Sequence, residues 1–90
     1  MKGFIYLLLS QKDKRTYLGS TSNLERRLLE HTKGLCISTK NRRPLKLIYN
    51  EEYDNLADAR AREHFLKSRG GRRELAKIIQ TLGSSQAVRQ

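Results

Sequence analysis

The chain has 90 residues, of which 37% are hydrophobic and 31% charged, so it is long enough for one domain with a modest core. Its 19 Lys and Arg against 9 Asp and Glu give a net charge of +10, which favours a polyanion such as nucleic acid as partner. The longest apolar run, Phe4 to Leu9, is too short to span a membrane and the single Cys36 excludes an internal disulfide, so we expect a cytoplasmic protein.

The first twenty residues predict a β-hairpin. Residues 3–10 are apolar, aromatic and partly β-branched, as expected of a buried strand. Residues 11–15 are polar and turn-like, and residues 16–19 predict a second strand that pairs with the first.

A helix is predicted to follow the hairpin. Ser22 with Glu25 three residues later has the capping-box pattern, in which the side chain of each residue accepts a hydrogen bond from the backbone N–H of the other. The helix is expected to continue to about Thr32 and to stop near Gly34.

The next part of the chain predicts a loop, a strand and a helix. Residues 33–43 are rich in basic and small polar side chains, which is typical of a loop. Residues 45–49 predict a third strand, with an alternative end at Tyr53. A second helix over residues 56–69 is expected to be capped by Asp54 or Asn55.

The last predicted element is a third helix over residues 72–82, ended by Gly83. We expect one domain over residues 1–83 and a flexible tail over residues 84–90. The order is β-β-α-β-α-α, and a three-stranded sheet flanked by helices buries these apolar faces most simply.

One polar stripe on the first helix could hold a phosphate. Asn23, Arg27 and His31 lie four residues apart, so their side chains stack along one line. Leu24 and Leu28 form the neighbouring stripe, which is expected to face the core. An arginine fork and a histidine beside the core can bind phosphate oxygens. The alternative is a basic surface helix.

A carboxylate interrupts the apolar face of the second helix. Glu63 shares that face with Leu56, Ala59 and Leu66, and a carboxylate in such surroundings is costly without a partner. A divalent cation or an ion pair with arginine would each offset the cost, and the pattern favours neither.

Tyr6 and Tyr17 occupy the two strands of the predicted hairpin. Tyrosine in a strand usually packs in the core or on a sheet face. If both hydroxyls converged near Arg27 and a metal ion, the pKa of a phenol could fall far enough for it to act as a base.

Taken together, these residues resemble the GIY-YIG nuclease family. The two family motifs read here as residues 4–6, Phe-Ile-Tyr, and residues 17–19, Tyr-Leu-Gly, so Phe4 stands where the family has its first glycine. The polar stripe of the first helix and the stretch from Ala59 to Glu63 follow in the family's order. The resemblance covers roughly residues 3–69. It is closest to small stand-alone members and includes the N-terminal catalytic domain of the excision-repair nuclease.

The resemblance implies an α/β (α+β) fold with a central antiparallel sheet, and hydrolysis of DNA phosphodiester bonds with one Mg²⁺ or Mn²⁺ ion. It implies that Glu63 binds the metal, that Gly19 lets the chain turn closely beside the site, and that Asn23 supports it. The residues that match the family's catalytic positions are Tyr6, Tyr17, Arg27, His31 and Glu63.

The basic residues suggest how the strand would be held. We expect DNA to be the partner, with no membrane, in a setting of DNA repair or processing, and the protein to be a monomer or weak dimer. The side chains expected to bind the nucleic-acid backbone are Lys33, Lys40, Arg42, Arg43 and Lys67.

Two other functions fit the same sequence. The fold could bind nucleic acid without cutting it, which a test of metal-dependent cleavage distinguishes. It could also be an adaptor that docks on a larger complex, which requires a sizeable exposed apolar patch. The candidate residues for such a patch are Ile78, Ile79 and Leu82.

Overall fold

The computed structural model describes the backbone of residues 1–89 and the side chains of residues 1–82. A short 3₁₀ turn, Lys40–Arg42, interrupts the long loop before the third strand. The α+β class and the predicted element order are both confirmed. The elements are β1 (Gly3–Ser10), β2 (Thr16–Thr21), α1 (Leu24–Thr32), β3 (Leu45–Tyr53), α2 (Leu56–Lys67) and α3 (Arg72–Arg89).

The three strands form one antiparallel sheet in the order β2-β1-β3. In the predicted hairpin, Tyr6 pairs with Gly19 and Leu7 with Leu18. Because side chains alternate along a strand, Leu7 and Tyr6 point to opposite faces of the central strand. The sheet therefore separates an apolar face from a face that carries the polar site.

The apolar face is covered by α2 and α3. The buried cluster of this face joins β1 and β2 to α2. The apolar residues of α2 recur at helical spacing because one side of the helix packs against this cluster. Ile79 of α3 packs against this cluster and is not part of a spare patch, whereas Ile78 and Leu82 line a groove beside Tyr49. The buried cluster consists of Ile5, Leu7, Leu18, Ala59 and Leu66.

An ion-pair network fixes α2 against β3 and α3. Arg62 donates through Nε to Glu51 at 3.0 Å and through Nη2 to Glu74 at 2.7 Å. Burial alone would raise the pKa of Glu51, but hydrogen bonds from Arg62, Tyr49 and Tyr53 lower it overall. The network sits next to Glu63 in the sequence and so holds that part of α2 in place.

The helix caps differ in part from the prediction. Asn23, rather than Ser22, caps α1: its side chain accepts a hydrogen bond from the Arg26 N–H at 3.1 Å. The Asn23 N–H in turn donates to Thr21 Oγ1 at 3.1 Å. The N-cap of α1 therefore lies one residue later than the capping-box pattern predicts. For α2 the prediction of Asn55 is confirmed, with the Asp58 N–H as donor at 2.8 Å.

The helix ends also differ in part. Helix α1 ends at Thr32 as predicted, and Gly34 follows it with φ +79°. The prediction that Gly83 ends α3 is wrong, because the backbone stays helical to Arg89. A glycine inside a helix costs only about 1 kcal/mol relative to alanine, which the helix tolerates. The division into a domain of residues 1–83 and a tail stays a prediction, and Gln90 lies outside the described residues.

Among the helices of the described residues, none combines the length and the apolar character that crossing a membrane would demand.

Candidate active site

A buried chain of hydrogen bonds crosses the polar face of the sheet. The Tyr6 hydroxyl lies 3.0 Å from His31 Nε2, and His31 Nδ1 lies 2.7 Å from Thr39 Oγ1. Arg27 Nε donates to the Tyr6 oxygen at 3.3 Å. Tyr6 and His31 are each only 1% exposed and Thr39 is fully buried. The strand β1, the helix α1 and the following loop thus each contribute to one connected group.

The polar stripe of α1 runs from the exposed Asn23 through the partly buried Arg27 to the buried His31, so only its C-terminal end lies deep in the protein. His31 is the buried residue of this helix, while Leu24 and Leu28 are only partly buried. Arg27 and His31 stack one turn apart because they are separated by four residues. The alternative of a basic surface helix is wrong for His31, which is buried, whereas Arg27 stays partly exposed while it bonds to Tyr6.

Burial sets the protonation states in this chain. It raises the pKa of Tyr6, although the hydrogen bond from Arg27 opposes the shift. It lowers the pKa of His31, and the charge of Arg27 lowers it further. The phenol and the imidazole are therefore both neutral near pH 7. Desolvation outweighs the arginine at Tyr6, and the lowered pKa expected for a phenol beside a metal ion stays a prediction.

One arrangement of protons satisfies these neutral groups. Arg27 donates to the Tyr6 oxygen, the Tyr6 hydroxyl donates to His31 Nε2, and the Nδ1–H of His31 donates to Thr39. In this arrangement Nε2 is free to accept the phenol proton. The chain can thus carry a proton away from Tyr6.

The lowered pKa of His31 predicts a pH dependence of stability. The unfolded chain protonates His31 near the ordinary pKa of 6.5, while the folded protein does so only at lower pH. Stability is therefore complete above about pH 6.5 and is lost as the pH falls through the folded-state pKa. We expect the Tm measured between pH 7.5 and 5 to fall less steeply for His31→Gln than for the parent.

The exposed His64 supplies the matched control. His64→Gln keeps His31 and is expected to show the steep pH dependence of the parent. An equally steep fall of Tm in His31→Gln would refute the assignment of this dependence to His31.

Tyr17 lies beside the buried chain at the edge of the sheet. Its ring centroid is 5.4 Å from that of His31 and 6.4 Å from that of Tyr6. Lys67 Nζ lies 5.9 Å from the same ring. The two tyrosines are thus brought together, with Tyr17 half-buried and Tyr6 behind it.

Gly19 makes room for the Tyr6 phenol. It lies opposite Tyr6 in the β1–β2 pair, and a Cβ on this residue would stand 2.5 Å from the phenol oxygen and 2.6 Å from Cζ. The expectation that it allows a close turn of the chain is wrong, because Gly19 lies inside β2. Its missing side chain matters as clearance for the ring.

The space that Gly19 leaves for the Tyr6 ring predicts the effect of adding a methyl group at this residue. Gly19→Ala should push the phenol away from Arg27 and His31, and should cost about 1–3 kcal/mol of unfolding free energy through overpacking. Urea unfolding measures the loss. Gly70→Ala is the control, since a Cβ there meets nothing within 4 Å. Equal stabilities of the two variants would contradict the proposed clearance.

Glu63 lies at the same sheet edge but approaches from the α2 side. Its carboxylate accepts hydrogen bonds from Ser20 Oγ and from Lys67 Nζ, the latter at 2.6 Å. Strand alternation places Ser20 on the face opposite Tyr17, so Lys67 bridges the edge between Glu63 and the tyrosine ring. Among the described side chains, no hydrogen bond joins Glu63 directly to Tyr6 or Arg27.

The chemistry around Glu63 fits a single hard cation. Within residues 1–82, no three His, Cys, Asp or Glu side chains cluster to form a complete metal cage. Mg²⁺ commonly uses one or two carboxylates and completes its shell with water and substrate phosphate. The half-buried carboxylate of Glu63, neutralised here by Lys67, is a ligand of that kind. The predicted ion-pair alternative is also present, with lysine in place of arginine.

The predicted backbone-binding residues fall into distinct environments. Lys33 and Lys40 are exposed, while Lys67 belongs to the site. Arg42 is half-buried and pairs with Asp13 at 3.0 Å, so it holds the β1–β2 turn. Arg43 is exposed but bonds to the carbonyls of Thr32, at the end of α1, and Lys40.

Sequence reasoning missed three contributors to the site. Thr39 stands in a polar loop with no pattern that marks it, and Ser20 gives no signal beyond its place beside Gly19. Glu30 accepts from Arg27 Nη1 at 3.1 Å. The three-residue spacing of this pair is a recognisable helical signal.

Comparison with known proteins identifies the family of this chain. A family model described as the GIY-YIG catalytic domain matches residues 2–76. A UPF0213 protein of Clostridium perfringens is 38% identical over 65 residues, which cover 71% of this chain and 69% of the relative. One from Syntrophus aciditrophicus is 40% identical over 81 residues, covering 88% and 92%. The solution NMR structure of a UPF0213 protein from Bacillus halodurans superimposes with a TM-score of 0.51 at 27% identity, covering 87% of this chain and 85% of that one. The chain belongs to the GIY-YIG family.

Proposed function

We propose that this protein is a divalent-metal-dependent endonuclease that hydrolyses phosphodiester bonds in DNA. The GIY-YIG catalytic domain implies nuclease-type activity. The observation that carries the proposal for this chain is the buried hydrogen-bonded chain from Arg27 through Tyr6 and His31 to Thr39. It combines a fixed positive charge with a neutral proton acceptor, the two groups that phosphodiester hydrolysis needs.

The scissile phosphate is proposed to enter the cavity beside these residues. This cavity has a volume of about 380 Å³, and Tyr17 and Arg27 form part of its wall. The hydrogen bond to Tyr6 raises the pKa of Arg27, so the guanidinium is always charged. It stabilises the negative charge that grows on the phosphoryl oxygens in the transition state.

The attacking water is proposed to lose its proton to Tyr6. As the water oxygen attacks phosphorus, the Tyr6 oxygen accepts the water proton while the phenol proton moves to His31 Nε2. Tyr6 stays neutral throughout, so its raised pKa is no obstacle. The bond from phosphorus to the 3′ oxygen breaks, the leaving oxygen takes a proton from solvent, and His31 returns its proton to solvent through Tyr6, which restores the neutral chain. Tyr17, at the cavity wall, orients the water.

Glu63 is the residue proposed to hold the cation, with Lys67 displaced from the carboxylate. A Mg²⁺ or Mn²⁺ ion held by this carboxylate would supply Lewis-acid polarisation of the phosphate and stabilisation of the leaving oxygen. Lys67 would then be free to meet a phosphate instead, because it already lies beside the Tyr17 ring. The change in partner keeps both charges compensated.

The net charge of +10 supports a nucleic-acid substrate. The exposed Lys33, Lys40 and Arg43 are proposed to contact the backbone. Such contacts release counterions, so binding weakens as salt rises. We place this activity in DNA repair or processing, and propose that a monomer or weak dimer carries it out.

Nicking of supercoiled plasmid tests the proposal. The parent is incubated with Mg²⁺, with Mn²⁺ and with a chelator, and conversion to the open circular form is followed on a gel. Nicking that depends on the added metal supports the endonuclease. Binding of the plasmid with no nicking under any condition would favour the non-catalytic binding module.

A further inference from the structure

A cationic cleft lies at the C-terminal end of α1, apart from the catalytic residues. It has a volume of about 510 Å³ and gathers residues from the β1–β2 turn, the end of α1 and the loop before β3. Three of its lining side chains are cationic and none is a carboxylate. The lining residues are Lys12, Thr32, Lys40, Asn41, Arg43, Pro44 and Leu45.

Two backbone carbonyls hold Arg43 in the wall of this cleft. Its Nε donates to the Lys40 carbonyl at 2.9 Å, and its Nη1 donates to the Thr32 carbonyl at 3.4 Å. A Cβ on Gly34 would lie 2.7 Å from the guanidinium carbon, so the guanidinium packs closely on that glycine. These bonds engage two of the five N–H donors and fix the orientation of the guanidinium, and within residues 1–82 the other three make no hydrogen bond.

Lys12 is brought to the same cleft by a bond across the loop. Its Nζ donates to the Asn41 carbonyl at 3.1 Å, next to Lys40 in the 3₁₀ turn. Lys12 lies about thirty residues before Lys40 and Arg43 in the sequence, so no sequence motif marks the three cations as a set. Because these three cations share a cleft that no carboxylate lines, an anion is the favoured occupant.

The position of the cleft suggests which anion this is. From Tyr6 to Ser10, the end of β1, the strand advances roughly 13 Å, and from Arg27 to Thr32 the helix advances roughly 8 Å. Successive phosphates of one duplex strand advance about 3.4 Å along the axis. The cleft thus lies within about two to four phosphates of the proposed cutting site.

We propose that this cleft, formed by Lys12, Lys40 and Arg43, is a phosphate subsite for the strand whose scissile phosphate lies at Arg27. This proposal rests on the proposed function. The subsite holds a backbone phosphodiester a few nucleotides from the cut and so fixes the strand in register. Lys12 thereby joins the nucleic-acid contacts, and Arg43 acts as a preformed fork for the phosphate oxygens.

Binding of a fluorescent DNA duplex, in the presence of chelator so that no cutting occurs, tests the subsite. The double variant Lys12→Gln/Lys40→Gln is compared with Arg60→Gln/Lys77→Gln, which removes the same charge from exposed positions on α2 and α3. At about 0.1 M salt we expect the first to lose roughly tenfold in affinity relative to the second, with a salt slope smaller by about one. Equal affinities and slopes would overturn the proposal.

Two further comparisons identify the kind of phosphate that the cleft binds. They also distinguish a failure of the proposed subsite from a failure of the proposed nuclease activity. If only duplexes with a 5′-phosphate bind the cleft variant more weakly, the cleft binds a terminal phosphate. If inorganic phosphate at 1 mM abolishes the difference in affinity between the variants, the cleft binds free phosphate. Either result would overturn the proposal. If the parent cuts plasmid while both double variants bind alike, the subsite alone fails. If the parent never cuts but the cleft variant binds more weakly, the nuclease fails and the phosphate subsite stands.

Discussion

Replacing Arg27 with alanine is expected to slow DNA cleavage by a factor on the order of 10² or more, the usual cost of removing a donor that stabilises transition-state charge. Arg27 has two roles that the truncation removes together. Its guanidinium lines the proposed phosphate cavity, and its Nε donates to the Tyr6 oxygen. Single-turnover cleavage of plasmid at saturating protein measures the chemical step apart from binding.

Arg26→Ala provides the matched control for this variant. Arg26 is the neighbouring residue on α1, it is exposed, and it also pairs with Glu30, at 3.8 Å. It therefore carries the same charge and shares an ion-pair partner, but among the hydrogen bonds of the described residues none joins it to Tyr6. We expect this variant to cut at close to the parent rate. Equal losses in both variants would mean that net charge, and not the site, determines the rate.

Replacing Glu63 with glutamine is expected to remove metal-dependent cleavage altogether, because the proposed cation loses its anionic ligand. The amide keeps the size of the side chain and can still accept from Ser20. Stability should change little, since an ion pair as exposed as Glu63 with Lys67 contributes about 0–1 kcal/mol. Cleavage and the binding of Mn²⁺, followed by calorimetry, are the two measurements.

Glu52→Gln is the control for the loss of one carboxylate. Glu52 is exposed on β3 and pairs with Lys2 at 3.2 Å, on a different strand from the site. Both Mn²⁺ binding and cleavage should remain at the level of the parent in this variant. Unchanged Mn²⁺ binding in Glu63→Gln would contradict Glu63 as the metal ligand, whatever the effect on the rate.

The fold was predictable because its signals are local. Alternation and apolar runs mark the strands, and the spacing of apolar residues marks the helices. The element order follows from these signals. The errors of the prediction lie at helix ends: Asn23 and not Ser22 caps α1, and α3 continues past Gly83. Tertiary contacts and small differences in cap energy decide such boundaries.

The candidate site was only partly predictable, for physical reasons. Helical spacing indicates that Arg27 and His31 share a face, but nothing local says that Tyr6 lies beneath them. The raised pKa of Tyr6 depends on burial, which is a property of the folded chain. Thr39 and Lys12 reach their positions through loops, whose paths leave no periodic signal.

The most direct test of the buried chain as the catalytic centre is plasmid nicking by Tyr6→Phe in the presence of Mg²⁺. The substitution keeps the ring that packs over Gly19 but removes the oxygen that joins Arg27 to His31. We predict that the parent nicks the plasmid and that Tyr6→Phe, with its thermal unfolding still cooperative, does so at least about 10² times more slowly. Nicking by Tyr6→Phe at the rate of the parent would contradict the account.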